Sequence, residues 1–267
     1  MIRVAGHFGE LLQGRLGPQG PIGLITLPCP ALGVTAAQHP NRHFTLHNVG
    51  QRLLTPQRAR MFLARLGLPS RDAVRLYAEM PAGGGAGAST AALVALALLQ
   101  GWTGAPETLA RACLAAEGAT DPLMFANAGQ MLWASRRAEW LAGLPPLPRF
   151  EVIGGFFGAV TRTDPKDAHF PDISDLIPRW VEAAGDLPRL AAIASQSAER
   201  CQSLRGTQTP RFASLAADLG ALGHVIAHTG AARGLIYPQG QVPPQARAAL
   251  IDAGAKTVVQ FSAGGTR

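Results

Sequence analysis

One stretch constrains this chain more than any other: Pro81-Ala-Gly-Gly-Gly-Ala-Gly-Ala-Ser-Thr-Ala-Ala92. Ahead of it, Ala73–Glu79 alternates as a strand does; behind it, Ala88–Leu99 is apolar on every side, as a buried helix is. Gly83, Gly84, Gly85 and Gly87 let the backbone turn sharply between them and bring its N–H groups close to a ligand. The first turn of the following helix leaves its own donors unpaired and carries partial positive charge. Strand, glycine turn and helix together predict an anion site of the kind that holds a phosphate chain, with the Ser89 and Thr90 hydroxyls in reach of phosphate or a bound Mg²⁺. The plainer reading is a flexible loop capped by Ser89 and Thr90.

Two familiar phosphate loops fit poorly. A Walker A loop needs Gly-Lys-Ser/Thr, and the lysines, Lys166 and Lys256, are far away. A dinucleotide fingerprint can be forced onto Gly83, Gly85 and Ala88, but it requires an acid about 20 residues on, at the end of a strand. Glu107 has that spacing and instead follows Pro106 at a helix start.

Composition narrows the class. At 267 residues, 47% hydrophobic and 15% charged, the chain is no disordered segment and can bury one large core or two modest ones. Cys29, Cys113 and Cys201 are far apart with no Cys-x-x-Cys, as expected of thiols in a reducing compartment. The first ten residues hold no apolar signal core, and Ala91–Leu99 is about half the ~20 residues a membrane span needs. A cytoplasmic protein without a membrane partner is the expectation. The net charge of +7 comes from scattered arginines rather than a patch, so it reads first as solvated surface charge and next as steering of a small phosphorylated ligand, and it argues against a nucleic-acid partner; the expected partner is a small-molecule substrate. Nothing in the sequence fixes an oligomeric state.

Along the chain, Pro21–Pro28, Ala31–Ala37 and His43–Val49 read as strands, Leu53–Leu66 as a helix stopped by Gly67 and Pro69, and Pro106–Glu117 as a helix stopped by Gly118. Leu144–Pro148 is the candidate linker. Beyond it, Phe150–Thr161 reads as strand, Pro188–Leu204 and Pro210–Leu222 as helices, Gly223–Tyr237 as a hairpin, Pro243–Ala253 as a helix and Lys256–Phe261 as a last strand. Strands and helices in both halves predict α+β layers, an order that two lobes would accommodate. His39, His43 and His47, and His224 with His228, lack nearby cysteines or acids and read as surface or hydrogen-bonded histidines, while Cys113 and Met131 read as core.

Pro81-x-Gly-x-Gly-x-x-x-Ser-Thr-Ala91 resembles the ATP-phosphate loop of the GHMP small-molecule kinases. Ala5-Gly-His-Phe-Gly-Glu-Leu-Leu-Gln-Gly14 with Leu27-Pro-Cys-Pro30, and Ala227-His-Thr-Gly-Ala-Ala-Arg-Gly-Leu235, are similar to the opening and C-terminal loops of the L-threonine kinase branch known from cobalamin synthesis and propanediol utilisation. The likeness spans residues 5 to about 237. This chain departs from that branch at His7-Phe8, where Ser-Cys is usual, and at Gly84, Ala88 and Ala92. The resemblance implies a two-lobed α/β (α+β) GHMP kinase fold. A ribosomal-S5-domain-2-like lobe would span residues 1–145 and a ferredoxin-like lobe residues 149–267.

It also implies a Mg²⁺- and ATP-dependent kinase for a small alcohol, best matched to L-threonine giving O-phospho-L-threonine. ATP would sit on Pro81, Gly83, Gly84, Gly85, Ala86, Gly87, Ala88, Ser89 and Thr90. Ser89 and Glu117 would hold Mg²⁺, Ser89 and Asp121 would serve the transfer, and Thr229-Gly230 would close the site around phosphate or substrate. Read on their own, Glu117 is a surface helix acid, Asp121 a turn former before Pro122, and Thr229-Gly230 a tight turn. Glu10 lies in an apolar run beside Gln13, where a carboxylate is costly unless paired, so it holds a substrate amine or a structural arginine. Arg233 and Arg15 are the candidates for a substrate carboxylate. A member of the same fold that binds nucleotide or metabolite without catalysis, and a dinucleotide-dependent oxidoreductase, are the rival readings.

Overall fold

The computed structural model describes residues 1–161, 164, 166–205, 210–228 and 231–265. β1 (Ile2–Arg15) and β2 (Ile22–His39) form a long antiparallel pair. β3 (Thr45–Val49) lies parallel to β4 (Ala73–Ala78), and β4 pairs antiparallel with the C-terminal half of β2. β5 (Met131–Ala134) meets the other end of β2 at Gly23 and Leu24, with β6 (Glu139–Gly143) outside it. The sequence suggests a break in β2 at its prolines, yet the strand runs on. Pro30 falls inside a register shift, where the β1 partners jump from Gly33 to Cys29, so its missing N–H costs no ladder bond.

Three helices pack on this sheet: α1 (Pro56–Arg65), α2 (Ala88–Leu99) and α3 (Pro106–Glu117). α2 is the central one. Its residues from Ala88 to Ala97 are buried apart from Ser89, and it lies against β1, β2 and β4 with α1 and α3 beside it. A helix apolar on all sides needs such surroundings.

The second sheet is wholly antiparallel. β7 (Phe150–Phe156), β8 (Gly223–Ile226), β9 (Ala232–Pro238) and β10 (Lys256–Ala263) lie in the order β10–β7–β9–β8. α4 (Leu176–Glu182), α5 (Leu187–Arg205) and α6 (Pro210–Asp218) separate β7 from β8, and α7 (Ala246–Asp252) separates β9 from β10. That strand order, with helices in those two connections, is the ferredoxin-like pattern.

The two sheets share one core. Phe8 of β1 is fully buried and meets the rings of Phe156 and Phe261 edge-on, with centroids 5.5 and 5.7 Å away. The segment expected as a linker is pinned as well: Leu144 and Leu147 are buried in that core, and the Leu144 amide donates to Gln130 O at 2.9 Å. All three cysteines are buried and free. Among the described residues no helix is long and apolar enough to cross a membrane.

Candidate functional site

The glycine loop leaves β4 and is gripped at its start by Gln51, whose side chain donates to Met80 O and accepts from the Ala82 amide, both at 2.7 Å. Its carbonyls are then turned away, one after another. Ala232 N donates to Gly84 O at 3.0 Å, Gly9 N to Gly85 O at 3.1 Å and His7 N to Ala86 O at 3.2 Å. With its oxygens bound by β1 and β9, the loop presents its other side to a cavity of about 290 Å³ lined by Gly83 and by residues 85–90. Gly87 is the N-cap of α2, in the left-handed region at φ +70°, and offers the helix no side-chain cap. The first amides of α2 therefore open into this cavity without an acceptor from their own cap, which is the geometry that takes an anion. Pro81 and Gly84, expected to touch nucleotide, lie off the cavity lining. A Cβ on Gly84 would fall 2.9 Å from Phe156, so that residue faces the second sheet instead.

The acids converge on the same cavity. Ser89 Oγ donates to Glu117 Oε1, and Thr90 Oγ1 to Glu117 Oε2 at 3.3 Å, so the two ends of this contact come from the start of α2 and the end of α3. Gly118, left-handed at φ +75°, stops α3 one residue later and lets the chain turn to Asp121. The Asp121 carboxylate is about one quarter exposed, toward the cavity. Burial works to raise its pKa, but His7 outweighs that and holds the carboxyl below its ordinary value.

His7 was not anticipated. In a regular strand His7 and Glu10, three residues apart, would point to opposite faces. β1 bulges between them: His7 pairs with Pro28 and Glu10 with Thr26, so two residues of β1 oppose one of β2, and Gly9 takes φ +70°. The bulge turns both side chains into the cavity while Phe8 goes to the core. His7 Nδ1 lies 3.4 Å from Glu10 Oε1 and 3.2 Å from Gly9 O, and Nε2 lies 3.3 Å from Asp121 Oδ2. Burial pushes the His7 pKa down, but Glu10 and Asp121 override it and leave it near 9. Burial raises Glu10 to about 8, with His7 opposing and the Asp121 charge adding. Glu10 is thus paired with a histidine, where the sequence suggested an arginine or a substrate amine.

Beyond these groups, Gln13 reaches the cavity from β1, and its Oε1, like Glu10 Oε2, is buried without a hydrogen-bond partner among the described residues. Arg136 reaches it from the turn after β5, its Nη2 donating to Asp164 O at 3.2 Å and its Nη1 buried without a partner among the described residues. Arg15 spends its guanidinium on Gly20 O and Ala168 O, and Arg233 lies over the rings of Phe157 and Phe212; neither lines the cavity. The rim also carries His228, stacked on Phe170 at 4.0 Å and bound to Asp167 Oδ2 at 3.0 Å, so this histidine does have an acid nearby. Thr229 and Gly230 lie outside the described residues.

One cavity therefore combines uncapped helix amides, a hydroxyl–carboxylate pair and an ionised carboxylate, which are the parts that phosphoryl transfer to a hydroxyl requires. Dinucleotide binding finds no footing, because β2 lies antiparallel between β4 and β5, so the strands before α2 and after α3 are not the neighbouring parallel pair of a dinucleotide-binding unit.

No protein-family model matches the chain, and no curated protein matches it by sequence. Solved structures do match in fold. Mevalonate kinase of L. major, in complex with R-mevalonate, superimposes with a TM-score of 0.65 at 15% identity, over 98% of this chain and 96% of that one. Streptococcus pneumoniae phosphomevalonate kinase, in complex with phosphomevalonate and AMPPNP, gives 0.66 at 14% identity over 98% and 100%. Homoserine kinase from Cytophaga hutchinsonii gives 0.59 at 15% identity over 99% and 94%. The chain has the GHMP kinase fold.

Proposed function

We propose that this protein is an ATP-dependent kinase that phosphorylates the hydroxyl of a small hydroxy-amino acid, with L-threonine, giving O-phospho-L-threonine as in cobalamin synthesis, the first candidate. The observation that carries this reading is the start of α2: Gly87 leaves the helix amides uncapped, and the loop carbonyls that would repel phosphate are tied to β1 and β9. The solved structures of the same fold are kinases for mevalonate, phosphomevalonate and homoserine, which supports phosphoryl transfer to a hydroxyl.

The residues present fit Mg-ATP. The amides from Gly85 to Thr90 would take the phosphates, and Ser89 with Glu117 would hold Mg²⁺ through a hydroxyl and a carboxylate, the hard oxygen donors that ion prefers. Bound Mg-ATP supplies the phosphoryl group that passes to the acceptor oxygen as ADP leaves, and the metal spreads the phosphate charge. Asp121, open to the cavity and ionised, orients the acceptor hydroxyl and takes its proton. Glu10 Oε2 and Gln13 Oε1 offer unused acceptors to an ammonium group, and Arg136 Nη1 an unused donor to a carboxylate. Buried polar atoms left without partners are rare in folded proteins, and here they have the signs a zwitterion would satisfy.

ADP release with Mg-ATP, measured across threonine, serine, homoserine, mevalonate and sugars, tests the reading. Release with a hydroxy-amino acid, and the matching phosphorylated product by mass spectrometry, is the expected result. Nucleotide binding without ADP release on any acceptor overturns it.

A further inference from the structure

His7 has no role in the scheme above, although it is buried, lines the cavity and touches both substrate-side acids. Its contacts fix its protonation. Nδ1 faces Gly9 O and Nε2 faces the Asp121 carboxylate, and a carbonyl and an ionised carboxylate can only accept. A neutral imidazole would leave one of those contacts lone pair to lone pair. With a hydrogen on each nitrogen, the ring is an imidazolium held between the Gly9 carbonyl and Glu10 on one side and the Asp121 carboxylate on the other. Its charge faces the Asp121 carboxylate through Nε2, with Glu10 against Nδ1.

The ring has little freedom to leave. A Cβ on Gly87 would sit 2.6 Å from His7 Cδ2, so the loop backbone packs directly against the imidazole, and the His7 amide is itself bonded to Ala86 O. We propose that His7 is a positioning residue for phosphoryl transfer: as an imidazolium it holds Asp121 ionised and aimed at the acceptor hydroxyl. The charged groups that bear on it are Glu10 on its own strand and Asp121 after α3, with Arg136 also lowering the Asp121 pKa. This role rests on the kinase reading, because Asp121 matters to it as the group that receives the hydroxyl proton. The pairing itself does not.

Two isosteres separate the ring's two contacts. In His7→Gln the amide nitrogen can take the place of Nε2 and keep a donor on Asp121, whereas His7→Asn reaches only the position of Nδ1. His7→Asn is expected to lower kcat by about tenfold or more with the KM for ATP unchanged, the scale of losing a well-placed proton acceptor. Its acid limb of kcat/KM should move to higher pH, because Asp121 loses the charge that keeps it ionised. His7→Gln, which keeps a donor on Asp121 but not the charge, should recover part of the lost kcat while its acid limb stays displaced. Equal rates in both variants with an unmoved acid limb would overturn the proposal.

A second measurement needs no turnover. ¹⁵N NMR of the histidine rings should show His7 charged past neutrality in the parent protein, and losing its proton about one pH unit or more lower in Asp121→Asn, the scale of one close opposite charge. An unchanged His7 titration refutes the pairing whether or not the protein is a kinase. A shifted titration together with no ADP release on any acceptor would refute the kinase reading alone.

Discussion

Gly87 and Gly67 have nearly the same φ and opposite surroundings, so alanine at each separates two costs. Gly67 closes α1 at φ +68° with nothing within 4 Å of where a Cβ would be. Gly87 opens α2 at φ +70°, where a Cβ would fall 2.6 Å from His7 Cδ2 and 3.0 Å from Leu123 Cδ1. The left-handed backbone alone costs an L-residue about 1–2 kcal/mol. That is the whole expected loss in Gly67→Ala. At Gly87 the added methyl also strikes a ring held between Glu10 and Asp121, and overpacking against such a neighbour costs about 1–3 kcal/mol more.

Urea unfolding followed by circular dichroism should place Gly87→Ala about 2–5 kcal/mol below the parent and Gly67→Ala no more than about 2 below it. Thermal melts should separate in the same order, by about 2–4 °C for each kcal/mol of difference. Binding of a non-hydrolysable ATP analogue should weaken in Gly87→Ala and stay intact in Gly67→Ala. Equal melting and equal nucleotide binding in the two variants would refute the packing of the loop on His7, and with it the account of how the loop is shaped.

Ser89→Ala and Asp121→Asn should each lower turnover by about tenfold or more without unfolding the protein; full rates in both remove the assigned roles. Phe8→Ala should cost about 3–5 kcal/mol in unfolding free energy, because this fully buried ring joins the two sheets through Phe156 and Phe261. His224 is buried, and burial pushes its pKa down to about 4 against an ordinary 6.5, so the folded protein keeps it neutral while the unfolded chain takes up a proton. Its contribution is full above pH 6.5 and lost as pH falls toward 4, about 3 kcal/mol in all. His224→Leu should flatten unfolding free energy over that window, and an unchanged slope would refute this.

The first half of the chain was legible where local chemistry decides structure. α2 and α3 run over the residues that apolar character, Pro106 and Gly118 mark out, because a helix begins and ends on local signals. β5, β6 and α4 carry no such signal. Met131–Ala134 is buried throughout and Glu139–Gly143 mostly exposed, so neither shows the alternation of a half-buried strand, and their pairing is decided by the far end of β2. In the site, the glycine loop announced itself, whereas the partnership of His7, Glu10 and Asp121 did not. Two members are three apart on one strand, and only a bulge, invisible to pattern counting, puts them on one side. A signal was present all the same: His7 stands where the resembling kinases carry a small serine, and Glu10 sits in an apolar run that required a cation nearby.

The bulge and the loop are one construction. The same two amides of β1, at His7 and Gly9, that bind the loop carbonyls flank the residue whose displacement turns His7 and Glu10 inward. The backbone that exposes amides for an anion therefore also sets the distance from that anion to Glu10 and, through the His7 ring, to Asp121. A side-chain network alone could drift by an ångström at each link. Here the links are main-chain hydrogen bonds of 3.1 and 3.2 Å between a strand fixed in the sheet and a loop fixed to a buried helix. Misplacement of that size costs transfer reactions orders of magnitude in rate. A chain with only 17 acids can still build such a site, because the backbone does the placing and a histidine stands between two of the acids that line the cavity.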